Sequence, residues 1–271
     1  MSDAIRIFIG TEPKTQVAFK VLKSSIERRT KAEVEITPMM GNWHVPRFWE
    51  YSTEGFKQGT GFSLRRWLIP EACGWQGLAI YMDADQIVLG DVQELWDAPK
   101  HWPAARSGTS VWCTHQPDKF SQRPWPQSSV MLIDCAAAKT SGMGWKREPM
   151  LQHLRDHPTQ QAYADFMHCG WMNPPPAKIP DCWNHLNVFV PQGRPKHTRL
   201  LHYTKEPEQP WYKPDHPLAQ LWHLELQEAI KDGNVHIKEF EYALSQWSVK
   251  EDWRKTNGLH PSYKRYLPLF R

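Results

Sequence analysis

The chain has 271 residues, 40% of them hydrophobic, and a formal net charge of +4. This length suits one large α/β domain, with two small domains as the alternative, and is sufficient to bury a core without disulfides or structural metals. No stretch approaches the about 18–20 apolar residues that span a bilayer, and the mild charge argues against a nucleic-acid-binding protein.

The first forty residues predict a strand–helix–strand unit. Residues 6–9 have strand composition and lead into a turn that starts at Gly10. Thr15 is placed to cap a helix, and residues 33–37 alternate as a second strand. The apolar face of that helix comprises Val17, Val21, Leu22 and Ile26. The glycine-rich motifs of dinucleotide-binding and P-loop proteins are absent, which leaves a nucleotide-binding α/β unit of another kind.

An apolar run over residues 78–82 ends in two aspartates, Asp83 and Asp85, one residue apart. Side chains two positions apart on an extended chain point to the same side, so both carboxylates would project from the end of a buried strand. Carboxylates that close repel each other unless one keeps its proton or a cation lies between them. Ligands of open α/β sheets bind at this end of the strands. The segment therefore predicts a hard divalent ion with a diphosphate, and the alternative is a turn in which one aspartate caps the next element.

The remaining elements continue the α/β pattern. Residues 41–62 are predicted to form a loop, and residues 63–72 a short helix. Strands are predicted at residues 111–113, 130–133 and 199–203, and the continuous apolar run at 130–133 is typical of a central strand. Helices are predicted at residues 149–155, 160–167 and 217–231, and the triple proline at 174–176 is a rigid connector.

Three segments in this order resemble the GT-A glycosyltransferases, most closely family 8, which includes glycogenin and the bacterial lipopolysaccharide galactosyltransferases. They are the arginine-bearing helix at residues 62–71, the Asp-x-Asp strand, and the Gly-Asp-Val-Gln-Glu-Leu-Trp segment at residues 90–96. A fourth match is Leu-Leu-His-Tyr-Thr at residues 200–204, followed by Gln-Pro-Trp at residues 209–211. The match covers about residues 5–212. It implies a GT-A fold, an α/β architecture with a Rossmann-like mixed central sheet flanked by helices, over residues 1–247.

The resemblance implies metal-dependent transfer of a sugar from a nucleoside-diphosphate sugar to an acceptor hydroxyl, with UDP as the expected nucleotide. The metal would be held by Asp83 and Asp85 of the Asp83-Ala84-Asp85 motif and by His202. Such a set accepts Mn²⁺ or Mg²⁺, and the imidazole favours Mn²⁺. Taken alone, a histidine at a strand end is an ordinary hydrogen-bonded residue.

The resemblance also implies the nucleotide contacts. Arg66 would reach the diphosphate or the donor sugar, unless it is a surface arginine of its helix. The turn of Gly10, Thr11 and Glu12 would hold the base and ribose, with a plain strand-to-helix turn as the alternative.

Two departures from the family pattern affect the donor site. The family lysine before Pro-Trp is Gln209 here, so a charged contact to the diphosphate is missing or passes to Lys205. The family's Asp-Gln near the reacting sugar carbon has no clear counterpart, and Asp165 and Asp181 are the two candidates. The donor sugar and the details of catalysis therefore stay open.

The family implies retention of anomeric configuration. Retention by double displacement needs a nucleophilic carboxylate under the sugar, which Asp165 or Asp181 would have to supply. A same-face mechanism, in which the departing phosphate helps to deprotonate the acceptor, needs only the metal and good positioning. We favour the same-face mechanism as a hypothesis.

The C-terminal tail, residues 248–271, mixes basic and aromatic residues. Such a tail can hold an enzyme at an anionic membrane surface, and the alternative is a tail that packs back on the domain. The N-terminus resembles no signal peptide, so we expect a cytoplasmic protein, with contact at the inner face of the membrane left open. Five widely spaced cysteines without a Cys-x-x-Cys pair indicate neither a disulfide framework nor a zinc site.

Two other functions fit parts of the sequence. A metal-dependent nucleotidyltransferase also combines an α/β sheet with carboxylates, although the turn after Gly10 is a poor version of its glycine-rich loop. A non-catalytic carbohydrate-binding protein would explain the 15 tryptophans. The expected partners of the leading function are a nucleotide-sugar donor and a glycan, lipid-linked or small-molecule acceptor, with no nucleic acid.

Overall fold

A computed structural model describes residues 4–41, 43, 60–101, 108–117, 124–189, 196–205, 208–213 and 216–246. The chain divides into two units. Unit 1 comprises Met1–Glu12, Lys31–Asp83 and Val92–Trp183, and unit 2 comprises Pro13–Thr30, Ala84–Asp91 and Asn184–Arg271. Most of the predicted loop at residues 41–62 and the whole tail at residues 248–271 lie outside the described residues, so both stay predictions.

Unit 1 contains a six-stranded mixed sheet. Its strands are β1 (Ile5–Gly10), β2 (Val34–Met39), β3 (Leu78–Asp83), β5 (Val111–Pro117), β6 (Pro124–Asp134) and β7 (Ala177–Lys178), in the order β2-β1-β3-β6-β5-β7. Strand β1 pairs in parallel with β2 and β3, whereas β6 runs antiparallel to both β3 and β5. The predicted strands are confirmed, and the apolar run at residues 130–133 lies in an interior strand as predicted. The register pairs Gly10 with Asp83 at the carboxyl ends of β1 and β3.

The helices of unit 1 are short. They are α2 (Ile69–Ala72), α3 (Val92–Trp96), α4 (Ala98–His101), α5 (Cys135–Ala138), α6 (Arg147–Asp156) and α7 (Gln160–Met167). The single helix predicted over residues 63–72 is a 3-10 turn, Arg65–Leu68, followed by α2. The α-helix starts late because Pro70, which lacks an N–H, is tolerated only in a first turn.

Aromatic packing and caps stabilise this unit. Trp67 is fully buried and meets Trp145 and Trp171 edge-on, with ring centroids 5.4 Å apart in both pairs. Such edge-to-face pairs add about 0.5–1.5 kcal/mol each beyond the area that they bury. Asp134 caps α5 by accepting hydrogen bonds from the backbone N–H groups of Ala136 and Ala137, both at 3.0 Å.

In its described residues, unit 2 contains a small sheet and three α-helices. It contains α1 (Gln16–Glu27), β4 (Gln86–Val88), β8 (His185–Leu186), β9 (Leu200–His202), α8 (Ala219–Lys231) and α9 (Ile237–Gln246), with the strand order β4-β9-β8. Strand β9 is antiparallel to β4 and parallel to β8. Helices α1 and α8 are confirmed at the predicted places. Thr15 precedes α1 but makes no side-chain capping bond, so the predicted cap is wrong; its φ of −110° and ψ of 17° lie outside the β region typical of a capping residue.

Helices α1 and α8 of unit 2 enclose a buried acidic side chain. Glu225 of α8 accepts hydrogen bonds from Arg28 and Arg29 at the end of α1, the Arg29 Nη1 contact measuring 3.1 Å. Its side chain is only 7% exposed, so the two guanidinium groups compensate the cost of burying the charge. Among the helices that are described, none combines the length and the apolar character needed to cross a membrane.

Candidate functional site

Asp83 ends β3 and receives two donors within unit 1. The Tyr81 hydroxyl donates to Asp83 Oδ1, and Arg66 Nη2 donates to the same oxygen at 3.1 Å. Tyr81 and Asp83 are two positions apart on one strand, so they point to the same side of the sheet. The carboxylate is therefore held in one orientation at the carboxyl end of the strand.

Arg66 is a buried cation, not a surface arginine of its helix. The residue is 4% exposed, and its guanidinium also donates to the backbone carbonyls of Ser63 at 2.9 Å and Ser128 at 2.6 Å. It lies 4.5 Å from the centre of the Tyr81 ring. Burial lowers the pKa of Arg66, but the Asp83 carboxylate and other nearby groups outweigh it, so the pKa is raised. Arg66 thus supplies a permanent positive charge beside Asp83.

The turn after β1 is tightly packed. A Cβ placed on Gly10 would collide with the Tyr81 hydroxyl and with the Phe62 ring. Thr11 is fully buried, and the 8% exposed Glu12 accepts a hydrogen bond from the backbone N–H of Gly61. Glycine is required at position 10 for space, because the hydroxyl that binds Asp83 occupies the volume of a side chain.

Asp85 and His202 meet in unit 2 through strand pairing. The backbone N–H of Tyr203 donates to the Asp85 carbonyl at 2.9 Å, and Gln86 pairs with His202 in the β4–β9 ladder. This register brings His202 Nε2 to 3.1 Å from Asp85 Oδ1. Two residues more than a hundred positions apart in sequence therefore face each other at one end of the small sheet.

Asn184 determines which nitrogen of His202 carries the proton. His202 Nδ1 lies 3.0 Å from the side-chain oxygen of Asn184, a residue that is fully buried. An amide oxygen only accepts, so this contact assigns the proton to Nδ1 and leaves a lone pair on Nε2. A neutral imidazole fixed in this way through its other nitrogen is the usual state of a metal-binding histidine.

The Asp85 carboxylate has one oxygen satisfied and one without a donor. Gln209 Nε2 donates to Asp85 Oδ2 at 2.8 Å and to the Tyr203 carbonyl at 3.1 Å. Asp85 Oδ1 is buried and has no hydrogen-bond donor among the described residues. It faces the Nε2 lone pair of His202, and two acceptors at that distance repel each other unless a proton or a metal cation lies between them. A carboxylate oxygen and an imidazole nitrogen are both donors that a divalent metal ion accepts.

The other predicted site residues lie in different surroundings. Lys205 is 57% exposed and forms an ion pair with Glu208 at 2.6 Å. Asp165 is exposed on α7 and accepts a hydrogen bond from Gln161 at 2.9 Å. Asp181 is 50% exposed and lies 3.4 Å from Lys178. Neither aspartate shows the burial expected of a nucleophile beneath a bound sugar.

Two contributors to the site were missed at the level of sequence. The contact of Tyr81 with Asp83 could have been predicted from strand alternation, since Tyr81 lies two positions before Asp83 on the same strand. Asn184 carries no local signal, because its role depends on the packing of a distant part of the chain against His202.

Comparisons with known proteins identify the fold. No family model matches the chain. It is 27% identical over 241 residues to Protein CDI of Arabidopsis thaliana, covering 84% of this chain and 88% of that protein. The bifunctional glycosyltransferase WbbM superposes with a TM-score of 0.61 at 12% identity; the alignment covers 91% of this chain but only 52% of WbbM. The galactosyltransferase LgtC, in complex with donor and acceptor sugar analogues, gives 0.55 at 12% identity, over 93% of this chain and 99% of LgtC. The chain has the GT-A fold. This GT-A fold confirms the predicted α/β architecture, with its mixed central sheet and the Asp-x-Asp motif at the carboxyl end of an interior strand.

Proposed function

We propose that this protein is a metal-dependent glycosyltransferase that transfers a sugar from a nucleoside-diphosphate sugar, with UDP as the expected nucleotide, to an acceptor hydroxyl. One observation carries the proposal. Asp85 Oδ1 and the lone-pair nitrogen of His202 lie 3.1 Å apart, and no described residue donates to that buried oxygen. On a GT-A fold, a divalent cation is the group that best explains two opposed acceptors.

Asp83, Asp85 and His202 would hold the metal, each with one ligand atom. Only Ala84 separates the two aspartates, so the chain itself keeps their carboxylates near one another. When bound, the ion would neutralise, as a Lewis acid, the charge that develops on the departing diphosphate.

The protein's own residues would orient the ligands and the donor. Arg66 donates a hydrogen bond to the Asp83 carboxylate and would add a positive charge near the bound donor. The packed turn of Gly10, Thr11 and Glu12 would receive the base and ribose. Gln209 supports Asp85 instead of supplying the charge of the family lysine.

We further propose retention by the same-face mechanism. The exposure of Asp165 and Asp181, each with a partner of its own, disfavours a covalent intermediate on either residue. The departing phosphate then acts as the base, because the acceptor hydroxyl is positioned against it. NMR of the product gives its anomeric configuration, and a trapped glycosyl adduct on Asp165 or Asp181 would overturn this mechanism.

Calorimetry tests the proposed function directly. UDP should bind in the presence of Mn²⁺ and lose its affinity when the ion is chelated. Asp85→Asn should lose the metal-dependent part of the binding and lower the hydrolysis of the best UDP-, GDP- or ADP-sugar by about 10²-fold or more. The matched control is Asp181→Asn, an exposed aspartate that this mechanism does not use.

The two alternatives give different results in the same experiments. A nucleotidyltransferase would release pyrophosphate from a nucleoside triphosphate and a sugar phosphate. A carbohydrate-binding protein would bind sugars and show no metal-dependent affinity for UDP. Either result, without hydrolysis of any nucleotide sugar, would refute glycosyl transfer.

A further inference from the structure

We propose that Cys73 and Cys135 form a reversible disulfide, a redox modification site that is independent of the proposed sugar transfer. Both residues belong to unit 1 and are free thiols in this structure. Neither takes part in the candidate metal site.

The two cysteines lie where α2 packs against α5. Cys73 follows the last residue of α2, and Cys135 is the first residue of α5. Cys135 is fully buried in the core of unit 1, and the half-buried Cys73 packs against the same core. The Cys135 N–H donates to the Gly77 carbonyl at 2.9 Å, which ties the start of α5 to the turn after Cys73. The two residues are thus brought into one core where α2 meets α5, although they are far apart in sequence.

The two thiols influence each other and differ in acidity. A hydrogen bond from Cys135 lowers the pKa of Cys73 to about 7, with a smaller lowering by Arg6, against the opposing effect of burial. The same hydrogen bond, together with burial, raises the pKa of the Cys135 thiol. Cys73 is therefore the half-exposed thiolate, and Cys135 is its buried partner.

Oxidation would proceed by thiol–disulfide exchange with a small disulfide such as oxidised glutathione. The Cys73 thiolate attacks one glutathione sulfur, and the other glutathione leaves as a thiolate. Cys135 then loses its proton and attacks the Cys73 sulfur, which releases the second glutathione. Two protein thiols become one disulfide while one glutathione disulfide becomes two glutathione thiols, so electrons and protons balance.

The other cysteines provide internal contrasts. Burial raises the pKa of Cys113 to about 12, and burial also raises the pKa of Cys169. Both are fully enclosed and should stay reduced. Cys182 is half-buried like Cys73 but belongs to a different element, so Cys182→Ser is the matched control.

Mass spectrometry of the folded full-length protein tests the proposal. After incubation with oxidised glutathione, the protein should lose about 2 Da, and a peptide map should show Cys73 joined to Cys135. The loss should persist in Cys182→Ser and disappear in Cys73→Ser. In the wild type, alkylation of Cys73 should accelerate as the pH rises through about 7, and in Cys135→Ala this rise should move to higher pH.

A stable glutathione adduct on Cys73 with no loss of mass would overturn the proposal, as would a disulfide that involves Cys182. The wild-type peptide map decides the outcome even where a cysteine variant folds poorly. The result is also independent of any UDP or Mn²⁺ binding, so failure of the proposed function would leave it intact.

Discussion

Asn184→Leu removes the acceptor that fixes the tautomer of His202. The buried amide oxygen of Asn184 lies 3.0 Å from His202 Nδ1, and leucine has a similar volume but no acceptor. The imidazole can then carry its proton on either nitrogen and can rotate. We expect Mn²⁺ to bind more weakly, because the lone pair on Nε2 is no longer held toward Asp85.

The size of the effect follows from the kind of contact that is lost. Removal of a hydrogen-bond partner behind a metal-binding histidine weakens metal affinity by about 10–100-fold. That corresponds to about 1.4–2.7 kcal/mol at 25 °C. Leaving a buried N–H without an acceptor should separately lower the free energy of unfolding by about 1–3 kcal/mol.

Titration of Mn²⁺ followed by electron paramagnetic resonance of the free ion measures the affinity. Asn187→Leu is the control, since Asn187 is equally buried but accepts instead from the backbone N–H of Thr204, at 3.1 Å. Both variants should lose stability, and only Asn184→Leu should lose Mn²⁺ affinity. A folded Asn184→Leu protein with the wild-type dissociation constant would refute the inference that Asn184 positions His202 for the metal.

Three further substitutions test other contacts. Gln209→Met should weaken Mn²⁺ binding about 10-fold in the same titration, because Asp85 Oδ2 loses its donor; an unchanged affinity would show that Gln209 does not position Asp85. Arg66→Met should lower the free energy of unfolding in urea by about 3–5 kcal/mol, since it leaves Asp83 without its buried cation, and a loss below about 1 kcal/mol would contradict this. Glu225→Gln should lower the free energy of unfolding by about 2 kcal/mol, a value reduced by the partial exposure of both arginine partners. If about 1 M salt leaves this loss of stability unchanged, the contact is not ionic in origin.

The periodicity of apolar residues and the order of the motifs were sufficient to predict most strands and helices of the fold. The alternating and apolar runs placed β1, β2, β3 and the interior strand β6, because the sheet buries those side chains and so constrains their type. Helices α1, α6, α7 and α8 followed from their apolar faces. Helix α9 was missed, although residues 237, 240 and 244 are apolar at helical spacing after Gly233.

Contacts in the site between segments that are distant in sequence could not be predicted from local sequence patterns. Asn184 meets His202 only because two separate segments of unit 2 fold together. The buried position of Arg66 depends on the carbonyl of Ser128, which comes from a strand far along the chain. The proposed pairing of Cys73 with Cys135 has the same origin, since widely spaced cysteines give no signal before the helices pack.

A substitution of Gly10 would affect the acidic motif, a consequence that the sequence around position 10 does not indicate. In an alignment, this residue would look like a loop glycine that tolerates alanine or serine. Here even one methyl group would push the phenol of Tyr81 aside and break its hydrogen bond to Asp83. The effect would therefore appear at the acidic motif, 73 residues downstream (Gly10 to Asp83). Packing thereby constrains position 10 to glycine, although this residue bears no reactive group of its own.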